Sequence, residues 1–271
     1  MPCRLQFIIC FFCLGAVLRV GAMDVYEWQA APATGDEVGV LILCPGMNSD
    51  GTHFLSEEPW MTFAQDHRLG VIALSFSSNP ELMYNSERKG YYWPEQGSGP
   101  ALVSAIRETY GSDLPILIYG FSGGAQFTSR FVDWAPAGRI VTWAAYSAQF
   151  WDEPTSDPSV SPPGIVACGE FDSARWFPSF SYFFVGREQG RPWTWVSLAE
   201  TGHHRKGAFE RFVRAYFASI LGGDGRIEHV FADIDTEELD FMVSDEGAQP
   251  ELLSWLPSKE IFTKWKEIHH Q

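Results

Sequence analysis

The sequence predicts an α/β protein, a mostly parallel central sheet with helices on both faces and no large lid. Three observations predict it. Short apolar runs alternate with segments of helical spacing along most of the chain. The runs are continuously apolar, the pattern of strands buried on both faces, where a half-exposed strand would alternate. Hydrophobic residues make up 45% of the 271 and charged residues 20%, enough to bury a full core and to exclude wholesale disorder.

The elements follow in order. Residues 38–43 (Val-Gly-Val-Leu-Ile-Leu) form an apolar run stopped by Cys44-Pro45-Gly46, hence a buried strand ending in a turn. Residues 60–67 have helical spacing, and 71–75 are the next strand. Residues 101–110 read as a helix stopped by Gly111, and 114–119 as a strand running into Gly120. A helix over 124–134 is stopped by Pro136, and strands follow at 140–146 and 165–168. Residues 173–189 are helical, with Pro178 in the first turns, and 193–199 are a strand. Residues 206–221 are the cleanest amphipathic helix, with Phe209, Phe212, Val213, Tyr216, Phe217 and Ile220 on one face and Gly222 at its end. Two stretches read as irregular: 75–99, rich in Tyr and Trp, and 147–164, with four prolines.

The ends of the chain read differently. Arg4, an apolar run over 5–18, Arg19 and then Val20-Gly21-Ala22 have the layout of a signal peptide over residues 1–22. The run is short for a transmembrane helix, so no integral span is expected after cleavage. Cleavage after Ala22 would leave 249 residues and move the formal charge from -15 to -17, since Arg4 and Arg19 depart. An exported protein, periplasmic or extracellular, is the expectation. Residues 23–223 form the main domain, and 224–271 an acidic appendage that ends in a helix over 258–269 and is docked on it by Trp255, Leu256, Ile261, Phe262 and Trp265. So acidic a surface repels polyanions, which argues against nucleic-acid binding. Cys44 and Cys168 remain after cleavage, at the ends of core strands, and read as buried free thiols; no Cys/His metal spacing occurs.

The chemistry-bearing motif is Gly120-Phe121-Ser122-Gly123-Gly124. It follows a buried strand directly and opens a helix, the context of a nucleophile elbow. The serine sits in a strained turn, so neighbours in close contact with it must lack side chains. A serine needs a base. Of the histidines, His203 and His204 alone lie in the loop directly after the last core strand, on the strand-end face of Ser122; Gly202 favours His203, and His204 is the rival. The orienting carboxylate is Asp172, after the strand ending at Cys168. Its simpler role is helix N-cap, and Glu170 and Asp152 are the alternatives. Oxyanion donors fall at the amides of Gly123 and Met47, the latter in the loop after the first strand. Tyr92 and Trp93, with Trp151, are candidate substrate-binding residues, and the same rings could equally pack under the long loops.

Taken together, Cys44-Pro45-Gly46-Met47, Gly120-Phe121-Ser122-Gly123-Gly124, Gly169-Glu170-Phe171-Asp172 and Gly202-His203 resemble the α/β-hydrolase superfamily over about residues 38–221. Within it the chain is most similar to secreted, lidless esterases of the dienelactone-hydrolase, polyhydroxybutyrate-depolymerase and feruloyl-esterase kind. Two features depart from lipases: Cys-Pro-Gly stands where a His-Gly-Gly-type motif would be, and the segment after Tyr146 is too short for a helical lid. The resemblance implies a serine esterase with a Ser-His-Asp triad and an acyl-enzyme. It implies no metal and no organic cofactor. The expected substrate is a small-molecule or a carbohydrate- or polymer-linked ester. A serine peptidase of the prolyl-oligopeptidase type and a non-catalytic binding protein on the same fold are the alternatives.

Overall fold

A computed structural model describes residues 15–20, 24–78, 90–150, 152–222, 227–240 and 249–270. Its centre is an eight-stranded sheet. The strands are β1 (Gly15–Val20), β2 (Asp24–Ala30), β3 (Gly39–Cys44), β4 (Leu69–Ser78), β5 (Ile116–Phe121), β6 (Ile140–Tyr146), β7 (Gly164–Gly169) and β8 (Trp193–Leu198), in the spatial order β1-β2-β4-β3-β5-β6-β7-β8. From β4 to β8 every neighbouring pair is parallel, while β2 runs antiparallel to both its neighbours. The sheet is thus mostly parallel, as the apolar runs predict.

Among the described residues six helices cover it: α1 (Glu58–Asp66), α2 (Ser98–Tyr110), α3 (Gly123–Trp134), α4 (Ser173–Glu188), α5 (Gly207–Leu221) and α6 (Lys259–His269). Strand alternation divides the core in two. Val40, Ile42 and Cys44 of β3 face one layer with Leu102 of α2, Phe131 of α3 and Phe183 of α4. Leu41 and Leu43 face the other, with Phe63 of α1, Phe209 and Val213 of α5, and Trp265 of α6. This two-sided burial is why the central strands lack polar alternation.

Two parts of the sheet were not among the sequence-predicted strands. At the end of β2, Trp28 and Ala30 are buried and Gln29 between them less so, a short period-2 signal that differs from the runs of the central strands. β1 lies within the span read as a signal peptide and pairs with β2 alone, so its removal would leave β2 as the outermost strand. Farther on, β9 (Val230–Asp233), β10 (Leu239–Asp240) and β11 (Leu253–Leu256) form a small antiparallel sheet. It covers the edge strand β8: Ser254 Oγ accepts from Trp195 N at 2.9 Å, and Trp265 Nε1 donates to Trp195 O at 2.7 Å. Trp255, Leu256, Ile261 and Trp265 are buried there. A free edge is an aggregation hazard, and this packing removes it.

The segment between β6 and β7 contains, among its described residues, only a three-residue turn of 3-10 helix, Pro158–Val160, so the described part of that segment supplies no helical lid. Cys44 and Cys168 are free and buried. Burial pushes the Cys168 thiol up to about 11 and that of Cys44 well above its ordinary range, so both stay protonated and inert.

Candidate active site

Parallel strands place all their carboxyl ends on one edge of the sheet. Four of those ends build the site: the loop after β3 carries Met47, the turn after β5 carries Ser122, the loop after β7 carries Asp172, and the loop after β8 carries His203.

Ser122 has φ 55° and ψ -118°, a conformation that side-chain-bearing residues rarely adopt. The surrounding glycines make it sterically feasible. A Cβ on Gly120 would lie 2.4 Å from Gly124 O, and one on Gly124 would lie 2.3 Å from Pro45 O. The elbow therefore closes on itself and against the β3 loop only because both side chains are missing.

Ser122 Oγ–H donates to His203 Nε2 at 2.8 Å, and His203 Nδ1–H donates to Asp172 Oδ2 at 2.7 Å. A carboxylate accepts only, which sets the tautomer: the proton is on Nδ1, and the Nε2 lone pair faces the serine. The Phe121 ring stacks on the imidazole, centroids 5.0 Å apart and planes 27° off parallel. Asp172 is buried, and its Oδ1 accepts from Arg175 at 3.0 Å. Although Asp172 occupies the N-cap position of α4, its carboxylate makes no capping bond; both oxygens are spent on His203 and Arg175. The simpler N-cap role is thus absent.

The rival residues lie elsewhere. The exposed side chain of His204 is not in the chain of contacts, and its carbonyl accepts from Tyr146 OH at 2.9 Å. Glu170 Oε2 accepts from Glu200 N at 3.3 Å, and Asp152 pairs with Arg130. Close packing joins the Asp172 and His203 loops: Phe171 N donates to Thr201 O at 2.9 Å, and a Cβ on Gly169 would stand 2.2 Å from that same oxygen.

Gly123 begins α3, where the first-turn amides have no partner within the helix and the helix dipole favours negative charge. A Cβ on Gly123 would stand 2.8 Å from Met47 N, so the two sequence-predicted oxyanion donors belong to adjoining backbones beside Ser122. Both residues line a small cavity of about 60 Å³ with Ser122, Tyr92, Gln126 and Arg175. Trp93 does not line it. That ring lies under the Arg130 guanidinium, 3.1 Å from its centroid, and borders a neighbouring cavity of about 590 Å³. Gln126 lines both cavities. Trp151 lies outside the described residues.

Sequence reading missed Gln126, Ser147, Gln149 and Arg175 as cavity residues. Two carried a usable signal. Gln126 stands one helical turn after Ser122, and Arg175 stands three residues after Asp172 on the same helix, so each shares a face with a named residue. Ser147 and Gln149 sit in a proline-rich loop whose path no periodicity predicts. Among the described residues no group of three or more His, Cys, Asp or Glu could hold a metal ion, and no helix is long and apolar enough to cross a membrane.

No protein-family model matches the chain, and no curated protein matches it. Solved structures are. A poly(3-hydroxybutyrate) depolymerase from Bordetella parapertussis superposes with a TM-score of 0.54 at 17% identity, over 80% of this chain and 90% of that one. An esterase from Pyrococcus furiosus gives 0.56 at 14% identity, over 78% and 92%. A carboxyl esterase from Bacillus coagulans gives 0.57 at 11% identity, over 77% and 99%. At such identities the likeness is one of architecture. With the strand order, the strained turn after β5 and the loops after β7 and β8, it shows that this chain has the α/β-hydrolase fold.

Proposed function

We propose that the chain is an exported serine hydrolase that cleaves carboxylic esters through Ser122, His203 and Asp172. The observation that carries the reading is the single imidazole bridging a strained serine and a buried carboxylate, at 2.8 and 2.7 Å. In this reading Ser122 Oγ attacks the ester carbonyl while His203 Nε2 takes its proton. The protonated imidazole then gives that proton to the leaving alcohol. Asp172 holds the ring by Nδ1–H and stabilises its charged form. The amides of Met47 and Gly123 receive the oxyanion, a donor pair of which each member is typically worth about 3 kcal/mol. Water, activated by the same imidazole, releases the acid from the acyl-enzyme.

The surroundings support an organic ester. Met47 is exposed at the cavity, and Phe171 and Phe177, flanking Asp172 and Arg175 in sequence, are 67% and 69% exposed. Tyr92 is the aromatic candidate that borders the serine. A panel of aryl and alkyl acetates, butyrates and feruloyl esters beside matched anilides and prolyl peptides tests the reaction class. Turnover of esters at least 100-fold above the amides is expected. Preferred cleavage of the prolyl peptides would instead make the chain a peptidase.

The export half of the reading rests on Arg4, the apolar run and Val20-Gly21-Ala22. Expression in a secreting host should yield a chain beginning at Met23 that keeps full turnover, because β1 pairs with β2 alone and carries no site residue. An intact amino terminus on active, released protein would contradict it; intact mass spectrometry decides.

A further inference from the structure

The base and the oxyanion donor come from different loops, yet the reaction needs both in register with Ser122. A polar chain joins those loops behind the site. His53 Nδ1–H donates to the carbonyl of Asp50, in the loop that carries Met47, at 2.7 Å. A carbonyl only accepts and a guanidinium only donates, so this His53 tautomer leaves Nε2 to accept from Arg205 at 2.9 Å. Arg205 stands two residues after His203. Its guanidinium is held at all three nitrogens: a bidentate pair with Glu57 at 2.8 and 2.7 Å, Nε to Glu210 at 2.6 Å, and the Phe54 ring 4.3 Å below its central carbon. Burial disfavours its charge, but the bonds to Glu57 and Glu210 more than offset this and hold its pKa above the ordinary value. A planar fork in this setting has one orientation, which lysine could not reproduce.

We propose that Arg205 and His53 are positioning residues, a strut that ties the His203 loop to the Met47 loop and sets the spacing between general base and oxyanion donor. This rests on the reading of Ser122, His203 and Asp172 as the catalytic set. Neither strut residue touches the reacting atoms. Their role is geometric, and a displacement of about 1 Å at a reacting group can cost about 100-fold.

The test is a double-mutant cycle on the full-length protein, with His53→Ala, Arg205→Gln and the pair. It reads kcat and KM per titrated active site, together with the rate of fluorophosphonate labelling. Arg205→Gln should lower kcat about 100-fold and His53→Ala about tenfold, with KM within about twofold and labelling slowed in parallel. The double variant should be no worse than Arg205→Gln by more than about threefold, because both break one strut. Wild-type kcat per active site in either single variant, whatever the loss of melting temperature, would overturn the proposal. So would a fully multiplicative, roughly 1,000-fold, loss in the double variant. His53 is 43% exposed, so its alanine variant keeps the test open if Arg205→Gln fails to fold. Failure of the underlying reading looks different: Ser122 would be unreactive in the wild type itself, which overturns both.

Discussion

Ser122→Ala is expected to lower kcat by about 10⁶-fold while leaving the fold intact. The size follows from the loss of the covalent route, since no other nucleophile among the described cavity residues contacts His203. The preserved fold follows from the backbone. Serine already carries a Cβ at φ 55°, so alanine adds no strain there. What is lost is one hydrogen bond to His203, typically worth about 1 kcal/mol. Turnover assays with a thermal melt check both halves. Retained turnover in a folded Ser122→Ala protein would remove Ser122 from the mechanism.

The second large effect separates two adjacent residues. His203→Ala should be nearly as damaging as Ser122→Ala, because members of a triad act as a unit and their losses do not add. His204→Ala should stay within about twofold of wild type, in the range of an ordinary exposed site. Only the His204 carbonyl is used, accepting from Tyr146 OH, and alanine keeps it. Equal losses, or the reverse order, would reassign the base.

What was legible in the sequence follows the strength of the local signal. The central strands announce themselves because burial on both faces leaves no polar residue in runs such as residues 40–43, and the helices because Phe209, Val213 and Phe217 recur at helical spacing. The elbow is legible because its glycines are steric necessities: Gly120 and Gly124 face backbone at 2.4 and 2.3 Å. Asp172 and His203 were legible through chain order and strand ends, but nothing in the sequence beyond Gly202 separates His203 from its neighbour His204, and the Ser122 contact falls on His203. The strut between Arg205, His53 and Glu57 could not be read, since Arg205 stands about 150 residues from the other two with no pattern linking them. The same holds for Trp93. An aromatic run after a strand marks a place near the active edge, but only packing decides that Tyr92 borders Ser122 while Trp93 turns to Arg130.

The most direct test of the central claim is reaction of the folded protein with a fluorophosphonate, with the adduct mapped by mass spectrometry. A serine hydrogen-bonded to an imidazole that is itself fixed by a buried carboxylate should be phosphonylated at Ser122 and nowhere else, with no labelling in Ser122→Ala and slow labelling in His203→Ala. A folded wild-type protein that takes no label at Ser122 would contradict the account and favour a binding protein on the same fold.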